Sequence, residues 1–240
     1  MKRFNINEFV WFVILASFTL YTYYLISTGT IFQFIHPNLL KYTVVSFVIL
    51  GELTVFQLFN IFKVKTRTKL KKGYLLFFLV IVVGIFIAPG GLNPEIVNKK
   101  GLTLVNSSNI ENIGKHTHRE EQKIQGNTIV FNEGNYVHYL EDISSNLLKH
   151  QGKKVVISGF VHKEDKLKED EFILSRMLMN CCAADSQVLG ILCEYKDSAK
   201  LEKNSWVRIE GKLGEKDDYP VIIVEKLKVT EAPENTFIYE

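Results

Sequence analysis

The 240-residue chain is poor in cysteine, with three, and in proline, with five, and its first 98 residues hold only three acids. Each scarcity excludes something. Three cysteines, two of them adjacent, do not make a disulfide framework, and an odd count leaves at least one thiol free or paired between chains. None lies near the N-terminus, so a lipoprotein anchor is not expected. Gly-x-Ser-x-Gly, His-Glu-x-x-His, Cys-x-x-Cys and a phosphate-binding Gly-rich loop are all missing. The expectation is therefore a protein that is not an enzyme.

What is present is a chain of two unlike halves. Residues 1–98 carry nine Lys/Arg against Glu8, Glu52 and Glu95, a net charge of +6. Residues 99–240 carry twenty against twenty-three acids, a net of −3, which together give the +3 of the whole chain. The basic excess belongs to a hydrophobic half, where it sets orientation in a membrane rather than favouring nucleic acid. Trp11 to Ile26, Tyr42 to Phe62 and Tyr74 to Ala88 are long apolar runs. A helix needs about 20 residues to cross ~30 Å of hydrocarbon. Three spans are expected, over about 9–29, 42–62 and 73–89, in a membrane region of residues 1–91. The run Lys63–Lys72 holds six positive charges and no acid, whereas Thr28–Lys41 holds only Lys41. That bias puts Lys63–Lys72 and the N-terminus in the cytoplasm. With three spans, the remainder of the chain lies outside. Glu52 falls in the middle of the second run, where a carboxylate costs ~3 kcal/mol unless protonated or paired. It would contact a partner membrane protein, serve a proton or cation step, or bond Ser46, Thr54 or Tyr42 within the bundle.

Residues 92–126 read as a polar linker, in which His116 and His118 have a spacing that can share a metal but read as solvated linker histidines. From residue 127 to 240 the pattern is mainly β. Thr128–Phe131 is a short strand, and Asn135–Lys149 has the apolar stripe of one amphipathic helix. Lys153–Lys163, Phe172–Met179, Val188–Tyr195, Trp206–Leu213 and Val221–Val229 read as five main strands, with turn chemistry at Asp217-Asp218-Tyr219-Pro220. These elements suggest a small antiparallel barrel of the oligonucleotide/oligosaccharide-binding (OB) type with one helix. Gly159 and Gly211 end strands where the barrel must bend. A net-negative domain without a basic stripe argues against single-stranded nucleic acid as ligand.

The densest chemistry is Arg176-Met177-Leu178-Met179-Asn180-Cys181-Cys182-Ala183-Ala184-Asp185. Thiolates are soft ligands and a carboxylate can complete a site for Zn²⁺ or another soft divalent metal. Cys181, Cys182 and Asp185 are the candidate ligands. A vicinal disulfide and a pair of small buried thiols are the alternatives. Arg176 would either lower a thiol pKa or pair with Asp185. Cys193, in an apolar strand, belongs to the core.

At these residues the chain resembles the YcgQ-type proteins of bacteria, subunits of two-component permeases. The resemblance covers most of the chain: Ile35-His36-Pro37, Asn98-Lys99-Lys100-Gly101, Gly159-Phe160-Val161, the Cys-Cys-Ala-Ala-Asp segment, Trp206-Val207-Arg208-Ile209-Glu210-Gly211 and Ala232-Pro233. It implies an auxiliary subunit in the cell membrane beside a larger multi-spanning permease. Family members often carry a His-rich loop between the second and third helices; here that loop is rich in Lys and Arg and has no His. The alternative functions are a membrane-anchored thiol redox protein and a structural binding protein.

Overall fold

The computed structural model describes residues 4–63, 73–87, 101–105, 126–233 and 235–239. The chain divides into two compact units, residues 1–91 and 92–240. Each is described by itself.

The first unit is helical. Helix α1, Ile6–Ser27, contains neither Gly nor Pro, and Asn5 starts it by accepting the N–H groups of Asn7 at 3.0 Å and Glu8 at 3.3 Å. Gly29, at φ 72°, ends it. Helix α2, Leu40–Lys63, follows a 3-10 turn at Pro37–Leu39, which His36 caps through Nδ1 to the Asn38 N–H at 3.0 Å. The two run antiparallel. Asn5 N–H bonds Ile61 O at 3.1 Å at one end, and Thr19 and Thr54 share a hydroxyl bond of 3.1 Å further along. Gln57 donates to the Glu8 carbonyl at 3.1 Å. The face of α2 that meets α1 is Thr43, Phe47, Leu50, Thr54, Gln57 and Ile61, a stripe with helical spacing.

At 1.5 Å per residue, 22 and 24 residues make α1 and α2 about 33 and 36 Å long. Both are long and apolar enough to cross a membrane, and only 11 % and 6 % of their apolar stretches are buried, unlike core helices of a soluble domain. The third run does form a helix, α3, Tyr74–Ile87, but its 14 residues reach about 21 Å. Among the described residues the helices of spanning length therefore number two, not three. Helix α3 lies parallel to α1: Trp11 packs against Tyr74 and Phe77, both at 5.4 Å, and the Tyr21 hydroxyl donates to Gly84 O at 3.0 Å. Residues 64–72, most of the basic loop, lie outside the described residues.

The second unit is a barrel-like sheet of eight strands: β1 Leu102–Leu104, β2 Thr128–Val130, β3 Lys154–His162, β4 Glu171–Met179, β5 Gln187–Glu194, β6 Trp206–Lys216, β7 Tyr219–Thr230 and β8 Phe237–Tyr239. Five of them close a ring, β3-β4-β5-β7-β6 and back to β3. Four of its pairings are antiparallel, but the pair that closes it is parallel, Leu192 opposite Val221 and Glu194 opposite Ile223. The expected antiparallel barrel is thus met in four of its five pairings, with the closing pair the exception. The three short strands β1, β2 and β8 add to the sheet, each parallel to its neighbour. Strand β1 falls within the stretch read as linker; three residues are too few to show an alternation. His116 and His118 lie outside the described residues.

The expected single helix over Asn135–Lys149 is two, α4 Tyr136–Ser145 and α5 Leu147–His150. Asn146, at φ −128° and ψ 42°, breaks it and donates its amide to Asp142 at 2.9 Å. Tyr136, Val137, Leu140 and Ile143 of α4 join Ile157, Phe172, Leu174, Leu178, Ile209 and Cys193 in the main core, so Cys193 is a core residue. A smaller cluster holds Phe160, Met177, Met179, Val188, Trp206 and Phe237. The turn between β6 and β7 is two residues, Asp217 and Asp218, both at positive φ (51° and 65°), the geometry whose twist suits a tight hairpin. Gly211 sits at a register shift between β6 and β7, where a Cβ would lie 2.3 Å from Ile223 O.

Candidate functional site

The thiol motif occupies the connection from β4 to β5. Strand β4 is buried along its whole length, and the chain emerges into solvent at Asn180 and Cys181. Cys182 is extended (φ −154°, ψ 169°) and leads into a 3-10 turn, Ala183–Asp185. That turn folds Asp185 back over the residues before it. Its carboxylate accepts the Cys181 N–H at 2.9 Å and the Cys182 N–H at 3.2 Å, and the Asp185 N–H donates to Cys182 O at 3.1 Å. The Cys182-x-x-Asp185 spacing thus works as a capping box, with sulfur in place of the usual hydroxyl.

Local geometry, rather than strand alternation, brings the two neighbouring thiols to one side. One ligand atom each from Cys181, Cys182 and Asp185 lies within 4.8 Å of the others. Two sulfurs bound to one tetrahedral Zn²⁺ at ~2.3 Å would sit roughly 3.8 Å apart, so small side-chain rotations suffice. Both cysteines are free thiols rather than a vicinal disulfide, Cys181 exposed and Cys182 half-buried. A carboxylate has about four lone-pair positions, so Asp185 keeps capacity for an ion while holding the backbone. Were an ion held by these three, their exposure would leave its remaining position open to solvent, substrate or partner.

The electrostatics run against an activated nucleophile. The Asp185 carboxylate accepts the Cys181 S–H, and with the neighbouring Cys182 pushes the Cys181 thiol up to about 12. Partial burial works to raise Asp185, but the Cys181 thiol and the N–H groups of Cys181, Cys182 and Asn180 outweigh it and hold the carboxyl below its ordinary value. The cluster rests as thiol plus carboxylate, and a metal ion must displace the Cys181 proton.

Arg176 takes no part in this cluster. The residue is 5 % exposed, and its guanidinium lies 5.0 Å from the Trp206 ring and 5.9 Å from the Tyr136 ring, with no ion pair to Asp185. Neither expected role of Arg176, lowering a thiol or pairing with Asp185, is met. Glu52 is exposed at the centre of α2, on the face turned away from the α1 seam. Ser46 and Thr54, offered by the sequence as its partners, bond Tyr42 O and Leu50 O instead.

Sequence reasoning missed a partly buried ion cluster at the other end of β4 and β5. Lys216 bonds both Glu171, which is 8 % exposed, and Glu194. The Lys216 bond and the Lys168 N–H hold Glu171 below its ordinary value against the opposing effect of burial. Its three residues come from three strands, so no local spacing announces them. Two grooves, one beside His162 and Lys203 and one beside Glu171 and Tyr219, do not include the thiols.

A family model described as the DUF1980 C-terminal domain matches residues 108–240, and one described as the DUF1980 N-terminal domain matches residues 10–103. The UPF0703 protein YcgQ of Bacillus subtilis (strain 168) is 24 % identical over 94 residues, 37 % of this chain and 33 % of that protein. The match thus spans about a third of the relative's length. With both halves matched in order, the chain belongs to the DUF1980 family, the YcgQ type that its Cys-Cys-Ala-Ala-Asp segment resembles.

Proposed function

We propose that this protein is a non-enzymatic auxiliary subunit of a two-component permease in the bacterial cell membrane. Helices α1 and α2 anchor it in the bilayer, and its OB-like barrel presents Cys181, Cys182 and Asp185 to a soft divalent metal such as Zn²⁺. The observation that carries the metal reading is the convergence of two thiols and a carboxylate within 4.8 Å at an exposed turn. The absence of a Cys-x-x-Cys pair and the presence of a carboxylate beside the two thiols favour that reading over thiol redox chemistry. Nucleic acid has no part in it.

The partner reading rests on Glu52. A carboxylate at mid-helix, on a face that α1 does not cover, is costly in hydrocarbon unless another polar group meets it. A helix of a larger permease subunit supplies that group. Two measurements test the proposal. Elemental analysis of the purified chain should find close to one equivalent of metal, lost in the Cys181→Ser, Cys182→Ser variant; equal metal in both chains overturns the metal site. Purification in mild detergent should recover a second membrane protein, and Glu52→Leu should reduce that recovery. Isolation of the chain alone, with or without Glu52, overturns the subunit reading.

A further inference from the structure

Arg176 is the one arginine among the described residues that is buried, and its surroundings do not neutralise it. Its Nε and Nη2 atoms are sealed from solvent, and neither has a hydrogen-bond acceptor. These two nitrogens form one edge of the planar guanidinium, the edge whose parallel N–H groups fit the two oxygens of a carboxylate or phosphate. Aromatic rings hold the guanidinium: Trp206 from the smaller core cluster and Tyr136 from the larger one. Trp206 is itself fixed by an edge contact to Phe160 at 5.8 Å. Rings offset part of a cation's desolvation. They leave both N–H groups unpaired, and an unpaired buried donor is costly, more so when it is charged. Glu133, exposed near the start of α4, feels the charge but forms no ion pair with it.

We propose that Arg176 anchors an oxyanion site in the barrel domain, in which the Nε–Nη2 edge, held between Tyr136 and Trp206, takes a carboxylate or phosphate group of a ligand. A water molecule could accept from a donor but would leave the charge uncompensated; an oxyanion does both. The side chains that seal the edge must shift to admit the ligand, so binding alters the surroundings of Trp206. Glu133 opposes it by adding negative charge nearby. The site does not depend on the thiol cluster, and its failure would leave the metal reading intact.

Trp206 supplies the readout, because the chain has only two tryptophans. In a Trp11→Phe background of the full-length chain in detergent, sodium phosphate and sodium acetate are titrated against chloride at constant ionic strength. A saturable change in Trp206 emission is expected with at least one of them, and which one identifies the ligand class. Arg176→Lys, which keeps the charge but loses the fork, should weaken binding by about tenfold or more. Glu133→Gln should tighten it. Absence of a saturable change with both anions, an unchanged affinity in Arg176→Lys, or weaker binding in Glu133→Gln each overturns the proposal. The last result would instead make Glu133 part of the structural neutralisation of Arg176.

Discussion

The state of one proton governs what the Cys181–Cys182–Asp185 turn can do. In the unliganded turn Cys181 holds its proton up to about pH 12, because the S–H points at the Asp185 carboxylate. A metal ion must remove that proton, so apparent affinity should rise with pH by about tenfold per unit for each proton released. The increase should persist across the whole neutral range. Competition with a chelator of known affinity at two pH values measures it, and a pH-independent affinity would mean that the thiols are not ligands. Asp185→Asn removes the negative charge that holds the thiol up. Cys181 should then lose its proton at lower pH and be alkylated several-fold faster near pH 8, while metal affinity falls; slower alkylation would contradict the assigned hydrogen bond. The carboxyl is held below its ordinary value, so its clamp on Cys181 and Cys182 is in place above the carboxylate range and is lost only as pH falls through the lowered value. Much of this was legible in the sequence, since two soft ligands and a hard one at this spacing announce themselves. The fate of Arg176 was not. Five residues along a strand leave open which side chains it meets, and Tyr136 and Trp206 come from elements 40 and 30 positions away.

Elements follow the same division between local pattern and long-range closure. Strands β3 to β7 were readable because alternation and turn residues act over a few positions, and Asp217-Asp218 marks its hairpin directly. What closes the ring, the parallel pairing of β5 with β7, depends on residues nearly thirty apart and leaves no periodic mark. The three-residue strands β1, β2 and β8 are set by neighbours already in place, so their own sequences carry little signal. Gly211 shows how tightly the ring is drawn: a Cβ there meets the backbone oxygen of Ile223 at 2.3 Å, and backbone cannot rotate away as a side chain can. Gly211→Ala should therefore destabilise the barrel by about 3 kcal/mol. Thermal unfolding followed by Trp206 emission in the Trp11→Phe background is the measurement. A variant that melts with the parent would mean that β6 and β7 are not held at this distance.

For the whole molecule, the open matter is the side of the membrane on which the barrel works. The Asn5–Ile61 bond and the Gln57–Glu8 bond put the start of α1 and the end of α2 together. The sequence flanking these two helix ends is basic, with Lys2 and Arg3 before α1 and the Lys63–Lys72 run after α2, and by the positive-inside bias we propose that this end faces the cytoplasm. Helix α3 starts at the same end, with Tyr74 beside Trp11, and runs alongside α1 as far as Gly84 beside Tyr21. Its length falls short of the hydrocarbon thickness, but it advances parallel to α1. We propose that α3 is a short crossing, accommodated by local thinning of the bilayer, and that the barrel is extracytoplasmic. Leu148, 80 % exposed on α5, gives a reporter position. In a Cys181→Ser, Cys182→Ser chain, where the remaining Cys193 is buried, Leu148→Cys should be labelled in intact cells by a membrane-impermeant maleimide. Labelling only after the cells are broken would place the barrel in the cytoplasm. Cys181 and Cys182 would then meet a reducing compartment and its metal pool, and an oxidising exterior would no longer threaten the two free thiols.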